Sequence, residues 1–174
     1  MTTDSVQDTP HAIRAAAHAN CVVCGPSNER GLRLEFTADS DGRVQAHFDC
    51  DKAFEGYANI LHGGVVSSLL DGAMTNCLFA HGHPGVTAEL TVRFRHPVQT
   101  DTPTTVRAWI ERCSPPLHVL RAELLQNGQI KATARGKFMV FRGTAGNEPG
   151  SQSAGLGRRR APLRDPKRPA RHTV

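Results

Sequence analysis

Between Leu61 and Ala80 the only Asp, Glu, Lys or Arg is Asp71. It lies in the run Ile60-Leu61-His62-Gly63-Gly64-Val65-Val66-Ser67-Ser68-Leu69-Leu70-Asp71, which reads as an apolar helix opened by two glycines. A carboxylate in such a helix is costly to bury unless something satisfies or uses it. The glycine pair lets a backbone or a ligand approach the helix N-terminus, where unpaired N–H groups point outward. The stretch therefore offers donors for a developing negative charge and a carboxylate base.

These groups must be positioned by a helix from about His62 to His81, ended by Gly82, Pro84 and Gly85. At about 100° per residue, Gly64, Ser67, Ser68, Asp71 and Thr75 share one side with Met74 and Leu78. An ordinary wet helix face carries Lys and Glu. This one carries small hydroxyls and is expected to meet another surface. His62 and Asp71 are nine positions apart, roughly 13 Å of rise and half a rotation. They cannot converge on one atom within a chain. If the helix N-terminus and Asp71 act on one substrate, they come from two chains of a two-fold dimer.

Around the helix the pattern is that of strands. Leu32 to Thr37 and Arg43 to Phe48 flank Asp41-Gly42, a hairpin signal. Asp49 to Asn59 reads as a loop. Val86 to His96 alternates, with Ala88, Leu90, Val92 and Phe94 apolar against Thr87, Glu89, Thr91, Arg93 and Arg95, as a half-buried strand does. Thr104 to Arg112 is a further strand, and Leu117 to Leu125 pairs with Ile130 to Phe141 through Asn127-Gly128. Two strands, one long helix and four strands at hairpin spacing give an α+β fold, a mostly antiparallel six-stranded sheet with one helix on a face.

The chain has 174 residues, about one domain, and a formal charge of +5. Seven basic and two acidic side chains after Arg142 carry that whole excess, and the rest of the chain balances. Residues 143–174, rich in Gly, Pro, Ser and Arg, are read as a solvated, disordered basic tail rather than a nucleic-acid contact. Residues 1–20 read as a flexible leader with a short helical piece from Ala12 to Ala19. The polar, acidic N-terminus is unlike a signal peptide, and no apolar run is long enough to span a bilayer, so a cytoplasmic location with no membrane partner is expected.

Five cysteines, an odd number, argue against a disulfide scaffold, and Cys77 reads as a core thiol. Cys21-Val22-Val23-Cys24-Gly25 is knuckle-like, with His18 three positions earlier. Zinc usually takes four ligands. Only His47 and Cys50 could complete a set, and nothing in the spacing demands it, so no metal or other cofactor is expected. No nucleophile turn and no phosphate-cradling loop is present.

His62-Gly63-Gly64 with Asp71 nine positions on, followed by Gly85-Val86-Thr87-Ala88-Glu89-Leu90-Thr91-Val92-Arg93-Phe94-Arg95-His96-Pro97-Val98, resembles the PaaI-like hotdog-fold acyl-CoA thioesterases. The resemblance assigns residues 21–142 to the hotdog domain, a long central helix wrapped by an antiparallel sheet. It implies an acyl-CoA or aryl-CoA substrate, a homodimer or dimer of dimers, and sites at the subunit interface. By position, Asp71 is the general base or nucleophile, the Gly63 N–H the oxyanion donor, His62 the residue that orients this loop, and Thr87 a hydroxyl near the catalytic water. Gly64 allows close approach of the thioester. Asn59, Ser68, Thr75, Arg93 and Arg95 are candidate substrate contacts, the arginines toward coenzyme A phosphates. Where relatives carry Asn or Gln six residues before the histidine, this chain has Gly56. Similar leaders join Cys-x-x-Cys-Gly to an Asn and a Gly-Leu, here Asn28, Gly31 and Leu32. The alternative from another class is a non-catalytic acyl-CoA-binding or regulatory module on the same fold.

Overall fold

The computed structural model describes residues 18–140. The expected basic tail, and the Ala-rich piece up to residue 17, lie outside the described residues. The elements are β1 (Thr37–Ala38), β2 (Val44–Phe48), a 3-10 turn (Lys52–Phe54), β3 (Glu55–Tyr57), β4 (Ile60–Leu61), α1 (Gly63–Ala80), β5 (Gly85–Phe94), β6 (Thr104–Ser114), β7 (Leu117–Gln126) and β8 (Gln129–Val140). A six-stranded antiparallel sheet runs in the order β1-β2-β6-β7-β8-β5, and β3 and β4 form a small separate hairpin.

Helix α1 lies across this sheet in contact with β2, β5, β6, β7 and β8. Alternation places Val44, Ala46 and Phe48, Val106 and Ala108, Leu120, Ala122 and Leu124, and Ala132, Ala134 and Phe138 on the face that receives the helix. From α1 come Val66, Leu69, Leu70, Ala73, Met74, Cys77 and Leu78. A Cβ on Gly136 would stand 3.2 Å from the Met74 thioether, so this glycine lets the helix seat closely. Leu70 is fully buried, and its truncation to Ala would cost about 2–5 kcal/mol. Cys77 is the core thiol expected, with burial pushing its pKa up to about 12.

Both expected hairpins form. Asn127 and Gly128 take positive φ between Gln126 and Gln129, as a tight two-residue turn requires. At the other, Asp39 Oδ1 accepts from the Asp41 and Arg43 N–H groups and Gly42 has φ +72°.

Three readings are corrected. The strand expected over Leu32 to Thr37 is confined to Thr37–Ala38. Upstream, Leu32 N donates to Val22 O (2.8 Å) and Leu34 N to Val23 O (2.9 Å), so this backbone is claimed by the cysteine loop. The loop expected over Asp49 to Asn59 holds the 3-10 turn and enters the β3–β4 hairpin. Finally, β5 is less buried than its alternation suggests. It is an edge strand, so Ala88 is exposed and Phe94 keeps 57% of its surface.

Candidate active site

His62 is the N-cap of α1. Its Nδ1 accepts from Gly64 N at 2.9 Å, and its carbonyl accepts from Val66 N at 3.1 Å. The Gly63 N–H, at the first helical position, has no acceptor among the described residues. A Cβ on Gly64 would meet the His62 ring at 3.0–3.1 Å, and one on Gly56 would meet His62 Cα at 3.1 Å. Both glycines make room for the capping histidine. That explains Gly64 without a ligand, and it shows why Asn or Gln at position 56 would crowd this chain.

This helix end opens into a groove of about 800 Å³. Gly56, Tyr57, Ile60 and Leu61 line it from the hairpin, His62, Gly63 and Val66 from α1, and Phe94 through Val98 from the end of β5 and the segment after it. Tyr57 is 81% exposed.

Two and a half turns along α1, Asp71 is half-buried. Thr87 Oγ1 donates to Asp71 Oδ1 at 2.8 Å. The register of β5 against β8 shifts between Thr87 and Glu89, a bulge of the kind that re-aims a side chain. Burial raises the Asp71 pKa above the ordinary carboxylate range, and the Thr87 hydrogen bond and the charge of His18 pull it back in part. Burial likewise lowers the His18 pKa, opposed by Asp71. Among the described residues no ion pair engages Asp71.

Asp71 shares a small pocket of about 150 Å³ with Ser68, Gly72 and Thr75 of α1. Its opposite wall is the cysteine loop: His18, Cys21, Val22, Val23 and Cys24. Sequence reasoning missed this cover. The signal available was Gly72, a helix-interior glycine that costs about 1 kcal/mol against Ala. A Cβ there would stand 2.5 Å from Val23 Cγ1, so Gly72 is the seat of the loop. The Asn28, Gly31 and Leu32 pattern is explained too. Asn28 Nδ2 donates to Asn20 O, its Oδ1 accepts from Arg30 N, and a Cβ on Gly31 would stand 2.9 Å from Val22 O.

The structure thus joins Asp71 with Thr87, Ser68 and Thr75, and it joins His62 and Gly63 with Arg95. The two pockets share no lining residue. Ser67 and Ser68 hydroxyls donate back to the Gly63 and Gly64 carbonyls. Asn59 lines neither pocket. It holds the hairpin turn at φ +60°, with its N–H on Glu55 Oε2 and its carbonyl accepting from Thr100 N. Arg93 is exposed on β5, outside the groove. Four sheet cations are ion-paired: Arg107 with Glu123, Arg121 and Arg135 with Glu111, and Lys137 with Glu89. Arg93 and Arg95 have no such partner among the described residues.

Comparison with known proteins places this geometry in context. A family model described as "Thioesterase superfamily" matches residues 58–132. No curated protein matches the sequence. Among solved structures, a thioesterase superfamily protein is 24% identical (TM-score 0.63) over 66% of this chain, and the alignment spans only 60% of that protein. A phenylacetic acid degradation-related protein from Ralstonia eutropha JMP134 is 25% identical (TM-score 0.60), covering 66% of this chain and 90% of its own. The E. coli PaaI protein of the phenylacetic acid degradation operon is 18% identical (TM-score 0.66), over 79% and 94%. A hypothetical thioesterase protein from Streptococcus pneumoniae TIGR4, crystallised with coenzyme A, is 18% identical (TM-score 0.58), over 62% and 87%. Among the described residues no helix is long and apolar enough to cross a membrane. With its single helix laid across an antiparallel sheet, this chain has the hotdog fold of these structures, and residues 58–132 match the thioesterase superfamily model.

Proposed function

We propose that this protein hydrolyses the thioester of an acyl- or aryl-coenzyme A, at a site completed by two copies of the chain. The observation that carries this reading is Asp71: a half-buried carboxylate in no ion pair among the described residues, held through one oxygen by Thr87. Its other oxygen is left for a water or a carbonyl carbon. The coenzyme A complex of the Streptococcus pneumoniae protein supports the substrate class.

Acting as a general base, Asp71 takes a proton from water while the water oxygen bonds to the thioester carbonyl carbon. The carbonyl oxygen becomes an oxyanion, and the unpaired Gly63 N–H donates to it. A donor of this type is worth on the order of 3 kcal/mol. The intermediate collapses by breaking the C–S bond, and the departing thiolate recovers the proton from Asp71. Acid and free thiol result, and the carboxylate is restored.

Within one chain the donor and the base line separate pockets, which supports a partner supplying one of them. The unpaired edge of β5 and the exposed Tyr57 and Phe94 around the groove provide surface for that partner. Arg93 and Arg95, in no ion pair among the described residues, suit the phosphates of coenzyme A.

A panel of acyl- and aryl-CoA thioesters with a free-thiol readout tests the reading, run beside Asp71→Asn. Turnover by the wild type, lost in the variant at unchanged oligomeric mass, is expected. Binding without turnover across the panel would favour the acyl-CoA-binding module instead, and full activity in the variant would reject the role of Asp71.

A further inference from the structure

His18, Cys21 and Cys24 recur at a spacing of three along the loop that covers Asp71. The loop is wound tightly by its own backbone. Cys21 N donates to His18 O (3.0 Å), Gly25 N to Cys21 O (2.9 Å) and Ser27 N to Ala19 O (3.0 Å). Gly25 is obligatory for this path, since a Cβ would stand 2.4 Å from Cys21 N and 2.6 Å from Ala19 O. The winding turns three soft donors towards each other. His18 Nδ1 lies 4.0 Å from Cys24 Sγ, and the ligand-type atoms of all three residues fall within 4.8 Å of one another. The imidazole is set edge-on against Phe79, with ring centroids 4.9 Å apart at 85°. Val23 N donates to Cys21 Sγ at 3.4 Å.

We propose that His18, Cys21 and Cys24 bind a thiophilic divalent cation of the zinc class, with its fourth coordination position open to the pocket that Asp71 lines. The geometry is close to what such an ion needs. Zinc bonds of about 2.3 Å to sulfur and 2.0–2.1 Å to nitrogen set tetrahedral ligands roughly 3.5–3.8 Å apart. From separations within 4.8 Å, the donors need to close by no more than about 1.3 Å. The charge balances as well: each thiol gives its proton to solvent, and two thiolates with a neutral imidazole neutralise a dication, which suits a partly covered site. His47 and Cys50 take no part. His47 Nδ1 lies beside the Thr105 hydroxyl, and Cys50 Sγ is directed at Thr104 and the Phe48 carbonyl. With three protein ligands the remaining position belongs to water or another exchangeable ligand, beside Ser68, Asp71 and Thr75.

The test is cobalt(II) titration of the reduced, metal-stripped full chain. One equivalent per chain is expected, with a thiolate-to-cobalt charge-transfer band and the strong d–d absorption of a four-coordinate site, both bleached by one equivalent of zinc. Cys21→Ser and Cys24→Ser should each abolish the charge-transfer band or shift and weaken it, and His18→Ala should weaken uptake. The wild-type titration needs no variant to fold. Absence of the band in the wild type would overturn the proposal, as would a band unchanged in both cysteine variants. So would reduced protein that takes up no cobalt yet closes a Cys21–Cys24 disulfide under oxidant, which would assign the pair to redox chemistry. The readout is metal uptake, so its failure leaves the proposed role of Asp71 untouched.

Discussion

The N-terminal end and the middle of the polar side of α1 are built on opposite plans. The N-terminal end is a wide groove of about 800 Å³ walled by glycine, aromatic and aliphatic surface together with His62, Arg95 and His96, and it holds the Gly63 N–H. The middle is a pocket of about 150 Å³ packed with a carboxylate, hydroxyls, thiols and an imidazole. One has room and a donor but no carboxylate in its lining; the other has the carboxylate but little room. The groove suits a ligand and the pocket suits a reacting group, and a hydrolase needs both in one place. A second chain is the economical way to bring them together, because nine helical residues separate them by roughly 13 Å within one.

The largest effect that would break this contrast comes from the pocket. Asp71→Asn should lower kcat by on the order of 10²- to 10⁴-fold, the usual weight of a general base. The same change should raise the thermal midpoint at neutral pH. Burial lifts the folded-state pKa of Asp71, so the fold gains stability as pH drops through that value and loses it as pH rises. Asn removes the cost of the buried charge, and its advantage over the wild type should vanish in acid, where Asp71 is protonated. Calorimetry across pH checks the sign.

On the groove side, Gly63→Pro deletes the N–H at the first helical position, where proline is well tolerated. His62 is already extended at φ −60°, ψ 133°, as a residue before proline must be. A Cβ at Gly63 meets only the Phe94 ring, at 3.5 Å. The fold should survive and kcat should fall by roughly 10²- to 10³-fold. A variant with unaltered kcat would remove the donor from the account.

Thr87→Val sharpens the pocket side. The threonine hydroxyl holds the Asp71 pKa down, so its loss should move the acid limb of the kcat profile to higher pH, with a smaller loss at the alkaline plateau. The smallest effect contrasts two kinds of arginine. Arg93→Ala or Arg95→Ala should raise KM for a CoA thioester by roughly tenfold at low salt. Arg135→Ala, which only releases Glu111, should leave KM near its starting value.

Much of this was legible in the residues. The period of α1, its start near His62 and the Asn127-Gly128 turn are local patterns, and local patterns survive without knowledge of the partner. Asp71 stands out because no other charge interrupts the helix, and Thr87 follows from the family resemblance. The parts that escaped are non-local. The cysteine loop reaches Asp71 only because Val23 packs on Gly72, a contact across almost fifty residues that no periodicity encodes. Gly64 was read as an opening for substrate, whereas its bare Cα also seats the His62 ring. The alternation of β5 predicted a half-buried strand, but alternation cannot say that a strand lies at the sheet edge with Phe94 facing a groove.

The central claim, that donor and base come from different chains, is tested most directly by complementation. Asp71→Asn and Gly63→Pro chains, each inactive alone, are co-expressed and the mixed dimers assayed for thioester hydrolysis. If the site is shared, a statistical mixture recovers about a quarter of wild-type activity, because half the dimers are mixed and each restores one of two sites. A mixture no more active than the two parent homodimers would contradict the shared site.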